Sequence, residues 1–445
     1  MIPFLQLAIA LANIGHRISF ICTPRNILQL RPKVPDHLLS LVSFVSFPLH
    51  RLEGLPEEAE ATTGLTWETR LLIEAYDLLQ DPIKGFLADS SPDWLVYDFI
   101  APWAGRIAKD CGVGTVYFSV FHPSKLAFYP AVEERLRYWK TPESMTTKPD
   151  WIPFPSKVAF KLHEARFMHR AFGVAAAAGR GRNATELESD VLAVRGCYEN
   201  GGEYLELLPK LRPNAVIPVG LLPPVPEKES STKDDGYWSG IFGWLDEQQP
   251  RSVVFVSFGS EYKLSQTEVQ EIASGLEQSG LPFLWTLRKP LWLTGDDIGE
   301  ALPAGFLDRT KGRGFVAAGW APQLEILAHP SIGGSLFHSG WGSIVETLRY
   351  GHVLILLPFV CDQGLNARFL VEKGLGVEVE RNEDGSFTGV DVARALTTAM
   401  VSDEGEALRD KAREAATVFA DQPLHDEYVK KFADHLLAAR NKPDA

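Results

Sequence analysis

Apolar residues in the opening segment, Phe4, Leu5, Ala8, Ile9, Leu11 and Ala12, recur three and four positions apart, which predicts a helix with one buried face. Pro3 suits a first helical turn and Gly15 a helix terminus. "RISFI" (17–21) then predicts a buried strand. The rhythm continues. "VSFVSFPL" (42–49) predicts a strand, 66–89 a helix, "WLVYDF" (94–99) a strand ending in a carboxylate, "APWAGRIAKDCG" a helix and "VGTVYFSV" a strand. Apolar strands alternating with helices imply a parallel sheet covered by helices. The opening is unusual for such a sheet, because a helix comes first and no strand precedes it.

Residues 121–185 are rich in aromatics and helix formers and are expected to cap one side of the sheet. From 214 to 236 the chain turns to proline, serine and charge, which predicts a linker. A second series follows: "SVVFVSFGS" (252–260), the helix "SQTEVQEIASGLEQSG" with a Ser265/Glu268 capping box, then "FLWTLR", "GFVAAGW", "GGSLF" and "VLILLP". The expected organisation is α/β, with two Rossmann-like domains whose parallel sheets face across a cleft. The first spans 1–222, a linker 223–238, the second 239–425, and a helix at 426–445 packs back on the first. A length of 445 residues agrees with two cores. Ligands of such sheets bind at the carboxyl ends of the strands.

A net charge of −13 argues against nucleic acid or an anionic membrane as the main partner. Cys22, Cys111, Cys197 and Cys361 have no zinc or CxxC spacing and fit a reducing, cytoplasmic compartment. No apolar run is long enough to span a bilayer, and Gln6 and Asn13 break the opening run, unlike a secretory signal. Asn183-Ala184-Thr185 matches a glycosylation acceptor by chance composition. "GRGRNA" (179–184) satisfies a G-x-G-x-x-A dinucleotide fingerprint with Glu199 downstream, but the helical run "AFGVAAAA" precedes it where a strand is required.

The densest chemistry lies in "WAPQLEILAHPSIGGSLFHSGWGSIVETLRYGHVLILLPFVCDQ", from Trp320 to Gln363. "GGSLF" runs into "HSGWGS" and then into a helix, whose unpaired N–H groups make an anion site worth roughly 0.3–2 kcal/mol. Glycines at 340 and 342 permit close approach of a ligand, His338 and Ser343 add donors, and Gly259-Ser260 ends a neighbouring strand. Structural alternatives exist for each: Ser343 and Glu346 satisfy an S-x-x-E capping box, the tryptophans could be core, and Asp362-Gln363 could be a turn.

As an ordered set, this segment resembles the signature box of the plant UDP-dependent glycosyltransferases, family 1, with the GT-B architecture. The likeness extends to "WLDEQQPRSVVFVSFGS" and "DRTKGRGFVAAGW". The resemblance implies that Trp320 stacks on uracil, Ala321 (through its backbone) and Gln323 satisfy the base edge and ribose, and Glu346 accepts from ribose hydroxyls. It further implies that Ser260, His338 and Ser343 hold the diphosphate, and that Trp341, Asp362 and Gln363 address the sugar. Gly342 stands where most members have Asn, and Leu357 where most have Trp; both resemble the branch-forming subgroup, which adds sugar to a sugar.

The family uses no cofactor and no metal, and no D-x-D motif occurs here. Its base is a histidine oriented by an aspartate, for which Asp98 matches. Pro3 aligns with the proline of the G-H-x-x-P pattern, so the histidine and the first strand would fall before Met1. His122 is the one substitute near the expected acceptor side; His16, His163 and His169 are poorly placed. The resemblance therefore implies an inverting transferase moving a hexose, from UDP-glucose or UDP-rhamnose, to a flavonoid, saponin or terpenoid glycoside. The alternative is a nucleotide-sugar-binding protein without catalysis. The partners expected are the UDP-sugar and a small acceptor, in a monomer. Trp103, Phe121, Phe128, Tyr129, Trp139 and Trp151 could line the acceptor pocket or fill the core. The polypeptide as written is expected to transfer sugar poorly, and UDP release compared with a version extended by a strand ending in Gly-His tests this; equal turnover would refute it.

Overall fold

The computed structural model describes residues 1–62, 65, 68–129, 138–172, 189–224, 236–259 and 262–440. They form two compact units: Met1–Lys140 with Phe172–Leu222 and Gln422–Ala445, and Thr141–Ala171 with Pro223–Asp421. Every strand pairing among the described sheets is parallel, the α/β pattern that the alternation of apolar runs predicts.

In the first unit, β1 (Ile18–Cys22) pairs with β2 (Val42–Ser46), and a separate sheet runs β3 (Trp94–Tyr97), β4 (Gly114–Ser119), β5 (Val191–Val194), β6 (Ala215–Pro218). The opening helix Ile2–Asn13 packs on both sheets through its 3–4 spacing. Leu7 and Leu11 join Val116, Phe118, Val191 and Ala193, while Leu5 and Ala12 join Leu30, Leu38 and Val42. The helix Gln422–Arg440 adds Val429, Phe432, Ala433 and Leu436 to the first of these clusters. The 66–89 stretch is two helices, Thr69–Asp77 and Gln80–Ser90. The linker composition begins too early in the sequence reading, because residues 215–218 form the edge strand β6. Pro218 is tolerated at the end of an edge strand.

The second unit holds six strands in the order β12-β11-β10-β7-β8-β9. These are β7 (Val253–Ser257), β8 (Phe283–Leu287), β9 (Gly314–Ala318), β10 (Ile332–Phe337), β11 (Val353–Leu356) and β12 (Gly376–Glu378). Strands β7, β8, β10 and β11 are buried almost throughout, which is why they read as unbroken apolar runs. The chain proceeds outward from β7 in one direction, then returns to β10 and proceeds in the other. The switch point between β7 and β10 is where an open α/β sheet binds its ligand.

One expectation is corrected. Residues 141–171 belong to the second unit, not to the first domain, because charge pairing ties them there. Lys157 N–H donates to Glu372 at 2.5 Å, Lys161 pairs with Glu378 at 2.8 Å, and Arg368 pairs with both Glu164 and Glu378. Arg368 is almost fully enclosed. Burial pushes Glu378 up, but Arg368 and Lys161 outweigh it and hold its carboxyl below the ordinary 4.5.

Candidate functional site

At the carboxyl end of β10, His338 and Ser339 lead into the helix Trp341–Leu348. Ser339 is a non-glycine residue at φ 64°, a left-handed conformation that turns the chain sharply into the helix. The imidazole of His338 lies between two glycines: a Cβ on Gly259, after β7, would sit 2.8 Å from its Cε1, and one on Gly340 would sit 2.5 Å from its Nε2. The loops after β7 and β10 therefore meet at this ring. Burial drives its pKa down to about 4, so at neutral pH it is uncharged, and Nδ1 is buried with no hydrogen-bond partner among the described residues. Ser260, the other expected phosphate contact, lies outside the described residues, as do the "GRGRNA" stretch and Asn183.

The capping-box reading of Ser343 and Glu346 does not hold. The N-cap is Gly340, so Ser343 sits inside the first turn, and Glu346 Oε2 instead accepts from Gln323 Nε2 at 2.6 Å. The Trp341 indole is buried at 4% exposure, 6.4 Å from the ring of Phe419, while its backbone N–H and that of Gly342 lie at the helix start. Trp320, by contrast, follows β9 with 78% of its surface exposed, and the Arg288 guanidinium lies 5.6 Å from its ring centre. Ala321, half-buried, accepts from Gln323 N at 2.8 Å at the start of the helix Gln323–Ala328.

Asp362 and Gln363 open the helix Gln363–Lys373. Gln363 Oε1 accepts from Phe359 N at 2.9 Å and Val360 N at 3.0 Å, which turns its carbonyl inward and leaves the NH2 as the group it can offer. Asn366, only 1% exposed, donates through Nδ2 to Asp362 Oδ2 at 2.8 Å and to Ser339 O at 3.0 Å. One amide thus ties the His338 loop to the Asp362 turn. Gly342 and Leu357 fall at the helix start and in the core respectively, and Leu357 is fully buried.

In the first unit, Asp98 follows β3 and its Oδ1 accepts from Ile100 N at 3.0 Å. Burial raises its pKa, opposed by that hydrogen bond and by the Met1 amino group. Among the described residues no histidine is hydrogen-bonded to it. His122, the candidate substitute, is fully buried and caps the helix Pro123–Phe128, its Nδ1 accepting from Ser124 N at 3.2 Å; a helix cap fixed in the core cannot serve as a mobile base. Three of the six candidate pocket aromatics, Trp103, Phe128 and Trp139, are core, and Phe121, Tyr129 and Trp151 are half-buried. Phe128 stacks on Trp139 at 5.0 Å, and Trp103 Nε1 donates to Asp77 at 2.9 Å. Phe99, beside Asp98, is 47% exposed and pairs with Phe121 at 5.6 Å.

The family model for UDP-glucoronosyl and UDP-glucosyl transferases matches residues 243–428. UDP-glycosyltransferase 91A1 of Arabidopsis thaliana is 41% identical, covering 99% of this chain and 94% of its own length. Soyasaponin III rhamnosyltransferase of Glycine max is 38% identical, with coverage of 98% and 93%. The chain belongs to the plant family 1 UDP-glycosyltransferases. It is accordingly a glycosyltransferase of the GT-B class. A Glycyrrhiza uralensis member, UGT73P12, solved with glycyrrhetinic acid 3-O-monoglucuronide, shares the fold with a TM-score of 0.80 at 23% identity, covering 98% of this chain and 92% of that one. No helix among the described residues is long and apolar enough to cross a membrane.

Sequence reading missed Asn366, Arg288 and Phe99. Asn366 carried a signal only in its distance: it lies one helical turn after Asp362, where an amide can reach back to the carboxylate. Arg288 ends the "FLWTLR" strand, and nothing local marks its approach to Trp320.

The neutral imidazole makes a pH prediction for this member of the family. A diphosphate placed beside His338 raises its pKa above the free value of about 4, so binding takes up a proton and tightens as pH falls toward that value. UDP-glucose, whose diphosphate does not titrate there, is expected to bind more tightly at pH 5 than at pH 7 by calorimetry. The His338→Gln variant is expected to lose the dependence.

Proposed function

We propose that the protein is an inverting transferase that moves a hexose, from UDP-glucose or UDP-rhamnose, to a hydroxyl of a plant metabolite that already carries a sugar, such as a flavonoid, saponin or terpenoid glycoside. The observation that carries this reading is the link made by Asn366 between the left-handed Ser339 loop and Asp362. It sets a diphosphate-type anion site and a sugar-reading turn at a fixed separation. In this reading the base stacks on Trp320, Ala321 and Gln323 meet its edge, and Glu346 accepts from the ribose. The helix-start amides of Trp341 and Gly342, with His338, Ser343 and Ser260, carry the diphosphate charge without a metal. Asp362 accepts from hexose hydroxyls and the Gln363 NH2 donates to them. Asp98 orients the base that takes the acceptor proton as the hydroxyl attacks the anomeric carbon and UDP leaves.

The soybean relative, named for rhamnosyl transfer to a saponin, supports the rhamnose donor and a glycoside acceptor. Gly342 and Leu357 support the sugar-on-sugar subgroup. A screen of UDP-glucose, UDP-rhamnose and UDP-xylose against free and glycosylated phenolics and triterpenoids, followed by UDP release, tests the reading. Transfer to glycosides in preference to aglycones is expected, and preference for free aglycones would overturn it.

A further inference from the structure

The loop after β7 reaches two places within the second unit. At Gly259 it borders the imidazole of His338. Three residues on, the half-buried ring of Tyr262 stacks on Phe359, with centroids 4.2 Å apart and planes inclined by 13°. Phe359 opens the stretch "FVCDQ" that carries Asp362 and Gln363. Tyr262 is itself anchored. Its hydroxyl donates to Glu268 Oε1 at 2.9 Å, and Glu268 Oε2 accepts from Ser265 N at 2.7 Å in the capping box of the helix Gln266–Ser279. The ring is therefore held by the start of a regular helix and not by the loop alone.

Phe359 has other contacts as well. The Phe258 ring meets it edge-on at 5.7 Å, and the Arg381 guanidinium lies 4.7 Å from its centre. Arg381 also donates to Pro358 O at 2.6 Å and to Gly385 O at 2.5 Å. The backbone here matters because Phe359 N and Val360 N both donate to Gln363 Oε1, at 2.9 and 3.0 Å. A carbonyl oxygen has two lone pairs, and both are filled from one short stretch of main chain. The Gln363 amide thus takes its orientation from the position of Phe359. A shift of that residue would free the oxygen and let the amide turn over. A flat ring stacked on Phe359 resists such a shift, because sliding loses contact across the whole face.

We propose that Tyr262 is a positioning residue for donor recognition: by stacking on Phe359 it fixes the backbone that orients Gln363, and so ties the loop bordering the diphosphate position to the turn that reads the hexose. The proposal rests on the donor reading above, in which Gln363 offers its NH2 to the sugar. Tyr262 itself touches neither nucleotide nor sugar; it acts through Phe359 and Gln363. Its removal therefore loosens sugar recognition while the nucleotide contacts at Trp320, His338 and the helix start stay in place. A residue whose loss merely destabilised the unit would weaken UDP and UDP-sugar alike.

The experiment is calorimetry on the full chain with UDP and with whichever of UDP-glucose and UDP-rhamnose the wild type binds more tightly. The ratio of the two dissociation constants, UDP-sugar over UDP, cancels the shared nucleotide contacts. Tyr262→Leu keeps an apolar side chain without a flat ring, and is expected to raise the ratio about fivefold, the worth of one neutral hydrogen bond. Tyr262→Phe keeps the ring and loses only the hydroxyl, and is expected to stay close to the wild-type ratio. Gln363→Ala is expected to raise the ratio by itself, and in that background Tyr262→Leu should add nothing. An unchanged ratio in Tyr262→Leu, or an equal rise in Tyr262→Phe, overturns the proposal. So does a further rise in the Gln363→Ala background, because the ring would then act by another route. If Gln363→Ala leaves the ratio unchanged, the sugar reading of Gln363 fails and the proposal falls with it. UDP heat, titrated first, reports on the nucleotide site separately, and its absence removes the donor reading as a whole.

Discussion

Gly340→Ala is expected to abolish tight nucleotide binding, although alanine suits the backbone there. Gly340 has φ −69° and ψ 136°, an ordinary extended conformation. The conflict is with one side chain: the added Cβ would stand 2.5 Å from His338 Nε2. A flexible side chain would swing away, but this imidazole is bounded on the other side by Gly259, where a Cβ position lies 2.8 Å from Cε1. The ring must leave the diphosphate position or distort both loops. Overpacking of this kind costs about 1–3 kcal/mol, and a lost hydrogen bond to a charged ligand about 1.5–3 kcal/mol more. Together they predict UDP binding weakened at least ~100-fold. A double-mutant cycle checks the cause: in a His338→Ala background, Gly340→Ala should have little further effect, because the clashing ring is gone. An equally large effect in both backgrounds would point to the backbone instead.

The second large effect is on stability. Arg368→Met removes the cation that Glu164 and Glu378 share in a nearly closed setting, leaving Glu164 without its ion pair and Glu378 with Lys161 alone. Breaking a buried pair in this way costs about 3–5 kcal/mol, which for a unit of this size lowers the melting temperature by about 10 °C. The pH dependence gives the sign. In the wild type Glu378 is held below its ordinary 4.5, so its stabilising contribution is complete above that pH and is lost as pH falls through the depressed value. In the variant only Lys161 is left to oppose burial, the carboxyl moves up from its wild-type value, and protonation in acid relieves part of the penalty. The gap in melting temperature between wild type and variant should therefore be widest near pH 7 and narrow toward pH 4, as differential scanning fluorimetry would show.

These two cases mark where sequence was informative. The strands β7, β8, β10 and β11 and the Ser265/Glu268 capping box were legible because their causes are local: continuous burial, and a side chain reaching three residues along. The same S-x-x-E pattern at Ser343 and Glu346 misled, since the left-handed turn at Ser339 starts the helix at Gly340, three residues early for a cap at Ser343. Trp341 and Trp320 are the same residue type in one motif, yet one is core and the other bare; which is which depends on the helix and the strand end that carry them. Glu164 and Arg368 are 204 positions apart, and no periodicity connects them. The donor box was therefore readable as a set of residues, while the interactions that position it, through Asn366, Arg368 and Gly259, required the fold.

The central claim is that the second unit grips a uridine diphosphate with an exposed indole, helix-start amides and a neutral imidazole. Calorimetric titration of the full chain with UDP in the presence of EDTA tests it most directly. The account predicts saturable one-site heat that a Trp320→Ala variant weakens by about 1–3 kcal/mol, the worth of a base–aromatic stack. Absence of heat in chelator, with binding restored only by manganese, would contradict it.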